Sequence, residues 1–443
     1  MPKLEATVEP AGKPISGVLP DVSKSGPVRS FLKSLGPGLI TGAADDDPSG
    51  IGTYAAAGAS FGLATLWTAC LTFPFMAAVQ HICARIGMVS GRGLAGVLRK
   101  QYSTSILYPA IFLLVAANVI NLGADLGAIA DAVGLVAGIR AAWLVPFIGL
   151  GLVALQVFGR YRFIANLFKW LTLALFAYAI DVFVVHPDLT EVIKATFIPT
   201  LSFNKEYLTL LVAILGTTIS PYLFFWQADQ EVEEKKEEGK KTVRQRQGAT
   251  GEEIRKSTID VNVGMGVSNL VMYFIILSTA VTLFKTGRTN IETGAEAAKA
   301  LEPIAGRFAG LLFAAGMIGS GLLAVPILSS ASAFAVSELF GWPCGLDKGW
   351  ARARNFYAVI LAATLLGAAM TFSGIKPIAA LFWTAVINGA LSPFFLVLIM
   401  QSARSPKVMG DQPIGPLLTA LGWTVTVAMF LVLIAFFYLT FIG

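Results

Sequence analysis

A chain of 443 residues that is 55% hydrophobic and 14% charged, with a mean hydropathy of +0.70, carries more apolar surface than a water-soluble fold can hide. That excludes a soluble enzyme or nucleic-acid-binding domain and describes an all-α polytopic membrane protein, whose 44 glycines suit closely packed helices. The net charge of +6 is unevenly distributed along the chain, and that distribution bears on orientation.

The first 30 residues are polar, carry Lys3, Lys13, Lys24 and Arg29, and lack an apolar h-region, which predicts a disordered cytoplasmic tail (1–30) rather than a signal peptide. Hydropathy then predicts eleven spans, near 31–58, 62–86, 105–135, 142–160, 164–186, 207–230, 259–285, 305–338, 354–373, 376–401 and 413–441. With an inside N-terminus, 25 of the 33 Lys and Arg residues fall in inside segments and 8 outside, which predicts an extracytoplasmic C-terminus. The expected location is a plasma membrane or bacterial inner membrane.

Span one is interrupted at Gly42–Tyr54, where Asp45, Asp46 and Asp47 precede Pro48. One acidic side chain at the centre of a membrane helix costs about 2.5–3.5 kcal/mol, and three in a row roughly 7–10 kcal/mol unless something compensates. Pro48 lacks an N–H and disfavours helix at Asp47, and Gly50 and Gly52 add backbone freedom, so these residues are a hinge that frees carbonyls near Ala44. Free carbonyls beside carboxylates make a hard, oxygen-rich cation site. The competing reading is a wetted acidic loop, but neither flank is long enough to span alone.

Span three carries Asn118, Asn121 and Asp125 on one helical face, directed at the bundle or a water-filled path, with packing between helices as the alternative for the two Asn. Asp131 lies near the outer end. Span six is interrupted at Gly216–Tyr222, where Pro221 is a second hinge and Thr217, Thr218 and Ser220 supply hydroxyl oxygens. Paired breaks at corresponding positions predict two inverted five-span repeats, 31–186 and 207–401, with substrate between them, and 413–441 as an accessory eleventh span. Between spans six and seven the cytoplasmic stretch 231–256 mixes both charge signs and reads as a solvated, mobile helix extension, or else as a regulatory or lipid-binding segment. Asn388 in span ten is a further oxygen donor or a packing residue. His81 and His186 sit at span ends, and Cys70, Cys83 and Cys344 lack metal or disulfide spacing.

These motifs resemble the NRAMP family of divalent-metal transporters over roughly residues 30–400, and more specifically its NRAMP-related magnesium transporter branch. The resemblance rests on Leu-Gly-Pro-Gly-Leu-Ile at 35–40 with Asp47-Pro48, on Gly-Thr-Thr-Ile-Ser-Pro-Tyr at 216–222, and on Ser-Glu-Leu-Phe at 337–340. It implies a LeuT-type fold with discontinuous first and sixth helices, working by alternating access. It also implies that Asp47 is the main metal ligand. Where the family has Asp-Pro-Gly-Asn, this chain has Asp47-Pro48-Ser49-Gly50 and no Asn ligand. Where the family has Ala-x-x-Met-Pro-His, it has Thr217, Ser220, Pro221 and Tyr222, so the soft thioether has become a hydroxyl and the chemical reason to reject Mg²⁺ is gone. At the positions of the family's proton relay it carries Tyr222, Gln227, Asn121 and Ala124.

The resulting expectation is a potential-driven, uncoupled importer of Mg²⁺, with Mn²⁺ also admitted, that holds a largely hydrated ion on Asp47, the Ala44 and Thr217 carbonyls, and the hydroxyls of Thr217, Thr218 and Ser220. Asp45, Asp46, Asn118, Asn121, Asp125, Tyr222, Gln227 and Asn388 form a second tier. No cofactor is expected beside the metal substrate, and no partner beyond metal and bilayer: neither nucleic acid nor an obligate protein. The alternatives are a proton-coupled Mn²⁺/Fe²⁺ carrier, disfavoured by Ser220, and an amino-acid carrier on the same fold, disfavoured by the three Asp. A membrane-embedded enzyme is disfavoured because no nucleophile and base pair appears.

Overall fold

The computed structural model describes residues 36–158, 173–291 and 294–441. The expected tail 1–30 and the first part of the expected fifth span lie outside the described residues. Among these, every regular element is a helix. In chain order the principal ones are α1 (Pro37–Asp45), α2 (Pro48–Phe61), α3 (Trp67–Ser90), α4 (Leu94–Gln101), α5 (Thr104–Ala137), α6 (Ala141–Phe158) and α7 (Ala177–Val185). There follow α8 (Lys205–Thr218), α9 (Pro221–Glu237), α10 (Gly251–Thr279), α11 (Ala309–Phe340), α12 (Arg354–Met370), α13 (Pro377–Ala403) and α14 (Pro416–Phe441). Eight stretches, with α8 and α9 taken together, are long and apolar enough to cross a bilayer. The pair α1–α2, the short α7 and α12 fall where spans one, five and nine are expected. The chain is an integral membrane protein.

Two helices are broken, and by the same local chemistry. α1 ends at Asp45 and α2 begins at Pro48; α8 ends at Thr218 and α9 begins at Pro221. In each case proline opens the second half, where its fixed φ suits the first helical position and its missing N–H costs nothing. The residue before each proline is extended, Asp47 at φ −66°, ψ 168° and Ser220 at φ −84°, ψ 133°.

The broken helices lie inside the bundle. α1 packs along α10, α2 against α10, α13, α8 and α5, and α9 between α3 and α11. Small residues permit the closest of these approaches. A Cβ on Gly42 would lie 2.2 Å from the Gly264 carbonyl oxygen of α10, and one on Gly216 only 2.0 Å from the Ala385 carbonyl oxygen of α13. Where α1 begins, Asp260 of α10 accepts the backbone N–H groups of Gly36 (2.8 Å), Gly38 (2.6 Å) and Leu39 (3.2 Å). A carboxylate thus caps, from another helix, amides that the first turn leaves unpaired.

The charged stretch 231–256 departs from its expected character. It begins inside α9, which runs to Glu237, and much of it is packed rather than solvated. Lys235 is 5% and Arg246 6% exposed. The Lys235 ammonium donates to the carbonyls of Met88 (2.8 Å) and Arg246 (3.1 Å), and Arg246 donates to Lys241 O (2.7 Å) and Gly91 O (3.2 Å). The cause is the end of α3, whose last-turn carbonyls lack helical partners and attract cations.

Candidate metal site at the paired helix breaks

Asp47 is the N-cap of α2, a position that suits a short acidic side chain because its oxygen can accept a free backbone N–H of the first turn. Its Oδ1 accepts Gly50 N (2.7 Å) and Ser49 Oγ (2.6 Å). Its Oδ2 accepts Asn121 Nδ2 of α5 (3.0 Å) and contacts the Tyr222 hydroxyl of α9 (3.4 Å). That hydroxyl has one proton and lies nearer the Ala44 carbonyl, at 3.0 Å; when it donates there, one lone pair on Asp47 Oδ2 is left for a ligand.

Asn121 also donates from Nδ2 to Asp125 Oδ2 at 3.2 Å. One amide therefore joins two fully buried carboxylates on different helices. Asp125 Oδ1 and Asn121 Oδ1 have no hydrogen-bond partner, although both atoms are shielded from solvent. Buried polar atoms are paired almost without exception, so unpaired oxygens beside two carboxylates mark a place suited to a cation or its water. Beyond Asp125 the same helix lines, through Ala128 and Asp131, a cavity of about 410 Å³ shared with Arg140, Phe313 and Met317.

The expected oxygen donors divide. Thr217 Oγ1 is buried and unpartnered. Thr218 Oγ1 donates to its own helix at Ile214 O (2.9 Å), and Ser220 Oγ donates to Gly216 O (2.7 Å) and Thr217 O (2.8 Å). The carbonyls at the breaks each accept one hydroxyl, Ala44 O from Tyr222 and Thr217 O from Ser220, and each keeps a second lone pair. A hydroxyl and a phenol on the chain itself supply one donor to each carbonyl that the two prolines release.

Of the second tier, Asn118 donates to Ser332 Oγ of α11 (3.0 Å) and stitches two helices together. Gln227 accepts Thr41 Oγ1 (2.6 Å) and donates to Glu231 Oε1 (3.1 Å), which also accepts Ser257 Oγ (2.8 Å), so it belongs to a chain linking α1, α9 and α10. Asn388 is buried in α13 with Oδ1 unpartnered and no hydrogen bond to Asp47. Asp45 and Asp46 take a different partner from Asp47: Asp45 Oδ2 accepts Ser268 Oγ of α10 at 2.7 Å, and Asp46 Oδ1 lies 3.1 Å from the same hydroxyl. Ser268 and Tyr54 are residues of this region that sequence reading passes over. A serine among small residues of an apolar helix and an aromatic two turns past a break carry no distinguishing pattern.

Comparison with known proteins follows from this geometry. The structure of a manganese transporter from Eremococcus coleocola, in complex with an aromatic bis-isothiourea substituted compound, superposes with a TM-score of 0.68 at 17% identity, covering 95% of this chain and 90% of that one. MhsT in complex with L-phenylalanine superposes with a TM-score of 0.61 at 12% identity, covering 90% and 98%. Both likenesses show the fold, which is the LeuT type. A protein described as the divalent metal cation transporter MntH, from Caldanaerobacter subterraneus subsp. tengcongensis, is 24% identical over 419 residues, 92% of each chain. The family model for natural resistance-associated macrophage protein-like sequences matches residues 38–439, and by that match the chain belongs to the Nramp family.

Proposed function

We propose that the protein carries divalent metal cations across the membrane by alternating access, with Mg²⁺ as the chief substrate and Mn²⁺ also admitted. The relatives named as divalent metal cation transporters support the general class. One observation supports the ion: the buried side-chain atoms left without a partner near the two breaks, Asn121 Oδ1, Asp125 Oδ1 and Thr217 Oγ1, are all oxygen, and Ser220 stands at the thioether position of the family motif. Hard oxygen ligands suit Mg²⁺, which keeps several waters and is usually held by one or two carboxylates. Asp47 Oδ2 and Asp125 are those carboxylates in this reading, with Thr217 Oγ1 and Asn121 Oδ1 facing bound water.

Its place in the magnesium branch, its inside N-terminus and its uncoupled, potential-driven operation belong to the same proposal. A second reading, a proton-coupled Mn²⁺ or Fe²⁺ carrier, has its own support: Asp125 is linked through Asn121 to Asp47 and offers a carboxylate able to carry a proton. Uptake into liposomes loaded with dyes for Mg²⁺, Mn²⁺ and pH separates the two. Mg²⁺ entry under a K⁺-diffusion potential without lumenal acidification upholds the first. Mn²⁺ entry with acidification, and no Mg²⁺ entry, replaces it with the second.

A further inference from the structure

We propose that Asp45, Asp46 and Ser268 form a second divalent-cation site on the α10 side of the first helix break, separate from the Asp47 site on the α5 side. Asp45 ends α1 and Asp46 leaves the helical conformation at φ −84°, ψ 45°, which brings two consecutive side chains onto one hydroxyl instead of fanning them about 100° apart. Ser268 Oγ lies 2.7 Å from Asp45 Oδ2 and 3.1 Å from Asp46 Oδ1. A hydroxyl has a single proton, so with both carboxylates ionised one of these contacts is between lone pairs, and a cation bound across them removes the repulsion.

Unpartnered polar atoms gather on the same side. Asp45 Oδ1 has no hydrogen bond and the residue is wholly buried. The hydroxyl of Tyr54 (0% exposed) is also without a partner. Gly50 lets the Tyr54 ring approach the break: a Cβ there would lie 3.3 Å from that ring and 3.2 Å from the Asp45 carbonyl oxygen.

Charge balance points the same way. Among the described residues, the ion pairs join Lys236, Lys240 and Lys256 to glutamates, and none reaches Asp45, Asp46, Asp47 or Asp125. Uncompensated buried carboxylates are costly. Protons or a cation can offset that cost, and a dication across Asp45 and Asp46 does so with both carboxylates ionised. Two carboxylates, a hydroxyl and retained water suit a hard divalent ion. This inference rests on the proposed function only for the class of ion.

The purified full-length protein, titrated with Mn²⁺ while free ion is counted by electron paramagnetic resonance, tests it. Two Mn²⁺ per chain are expected, falling to one in Asp45→Asn/Asp46→Asn and to one in Asp47→Ala. Ser268→Ala, which removes only a hydroxyl, is expected to keep both ions while weakening one about tenfold, as for a lost hydrogen bond to a charged group. A single Mn²⁺ in the wild type, two that both survive Asp45→Asn/Asp46→Asn, or two unchanged affinities in Ser268→Ala would each overturn the second site. Two ions in Asp47→Ala with full Mg²⁺ uptake would instead overturn the assignment of Asp47 and leave the second site standing.

Discussion

At Asp47 a single side chain does two jobs, and substitutions separate them. Oδ1 caps α2 and Oδ2 is the proposed ion ligand, so Asp47→Ala removes both and costs about 0.5–2 kcal/mol of helix stability besides any effect on binding. Asp47→Asn retains an oxygen for the cap and loses the charge. Mg²⁺ uptake by Asp47→Asn should therefore fall to background while its melting temperature stays within a few degrees of wild type, and undiminished uptake would remove Asp47 from the ligand set. Ser220 offers the complementary test. Its hydroxyl turns onto Gly216 and Thr217 carbonyls, and a methionine there would present sulfur, which prefers Cd²⁺ and Mn²⁺. Ser220→Met is expected to gain measurable Cd²⁺ affinity by calorimetry, a partial gain because Gly50 supplies no amide; a folded variant with no such gain contradicts the hydroxyl-for-thioether argument.

Among the elements, α1 is the one whose attachment is most specific. Its N-terminal amides rest on Asp260, Thr41 joins the Gln227–Glu231–Ser257 chain, and Gly42 meets Gly264 backbone to backbone. Asp260→Ala leaves amides of the first turn unpaired, at a cost of about 1–2 kcal/mol in the attachment of α1 to α10. With Leu39→Cys as a reporter, the added thiol should then react faster with a membrane-impermeant maleimide than in the Asp260 parent, and an unchanged rate would mean that glycine packing alone holds the half-helix. Gly42→Val probes that packing: its side chain would meet the Gly264 carbonyl, and overpacking of this kind costs about 1–3 kcal/mol or more. Lower thermal stability in detergent is the expected result.

For the whole molecule the question is what drives transport. A dication falling through 100 mV gains about 4.6 kcal/mol, twice the value per unit charge, which suffices to move Mg²⁺ inward without a proton gradient. Liposomes with a lumenal pH dye should therefore show Mg²⁺ uptake that scales with the imposed potential and leaves lumenal pH unchanged. Asp125 is the residue to watch. Sequence position alone sets it about 100° around the helix from the family's relay residue, but Asn121 bonds it to Asp47. Metal-dependent acidification that vanishes in Asp125→Asn would transfer the coupling role to this carboxylate.

What the order of residues determined by itself was local: Pro48 and Pro221 break two apolar segments, because a missing N–H and a fixed φ act wherever the chain goes. The long apolar runs likewise determined helices that cross a bilayer, since no other structure satisfies the backbone of an isolated segment in lipid. Only the tertiary structure decided where the three aspartates point. Asp47 finds Asn121 at 74 residues' separation, whereas Asp45 finds Ser268 at 223, and neither partner stands out by type or spacing. It also decided that Tyr222 takes the Ala44 carbonyl, and that Lys235 and Arg246 are buried in a stretch whose composition looks solvated. Those outcomes depend on which helix ends and side chains meet in space, and pairing between distant residues leaves no periodic trace along the chain.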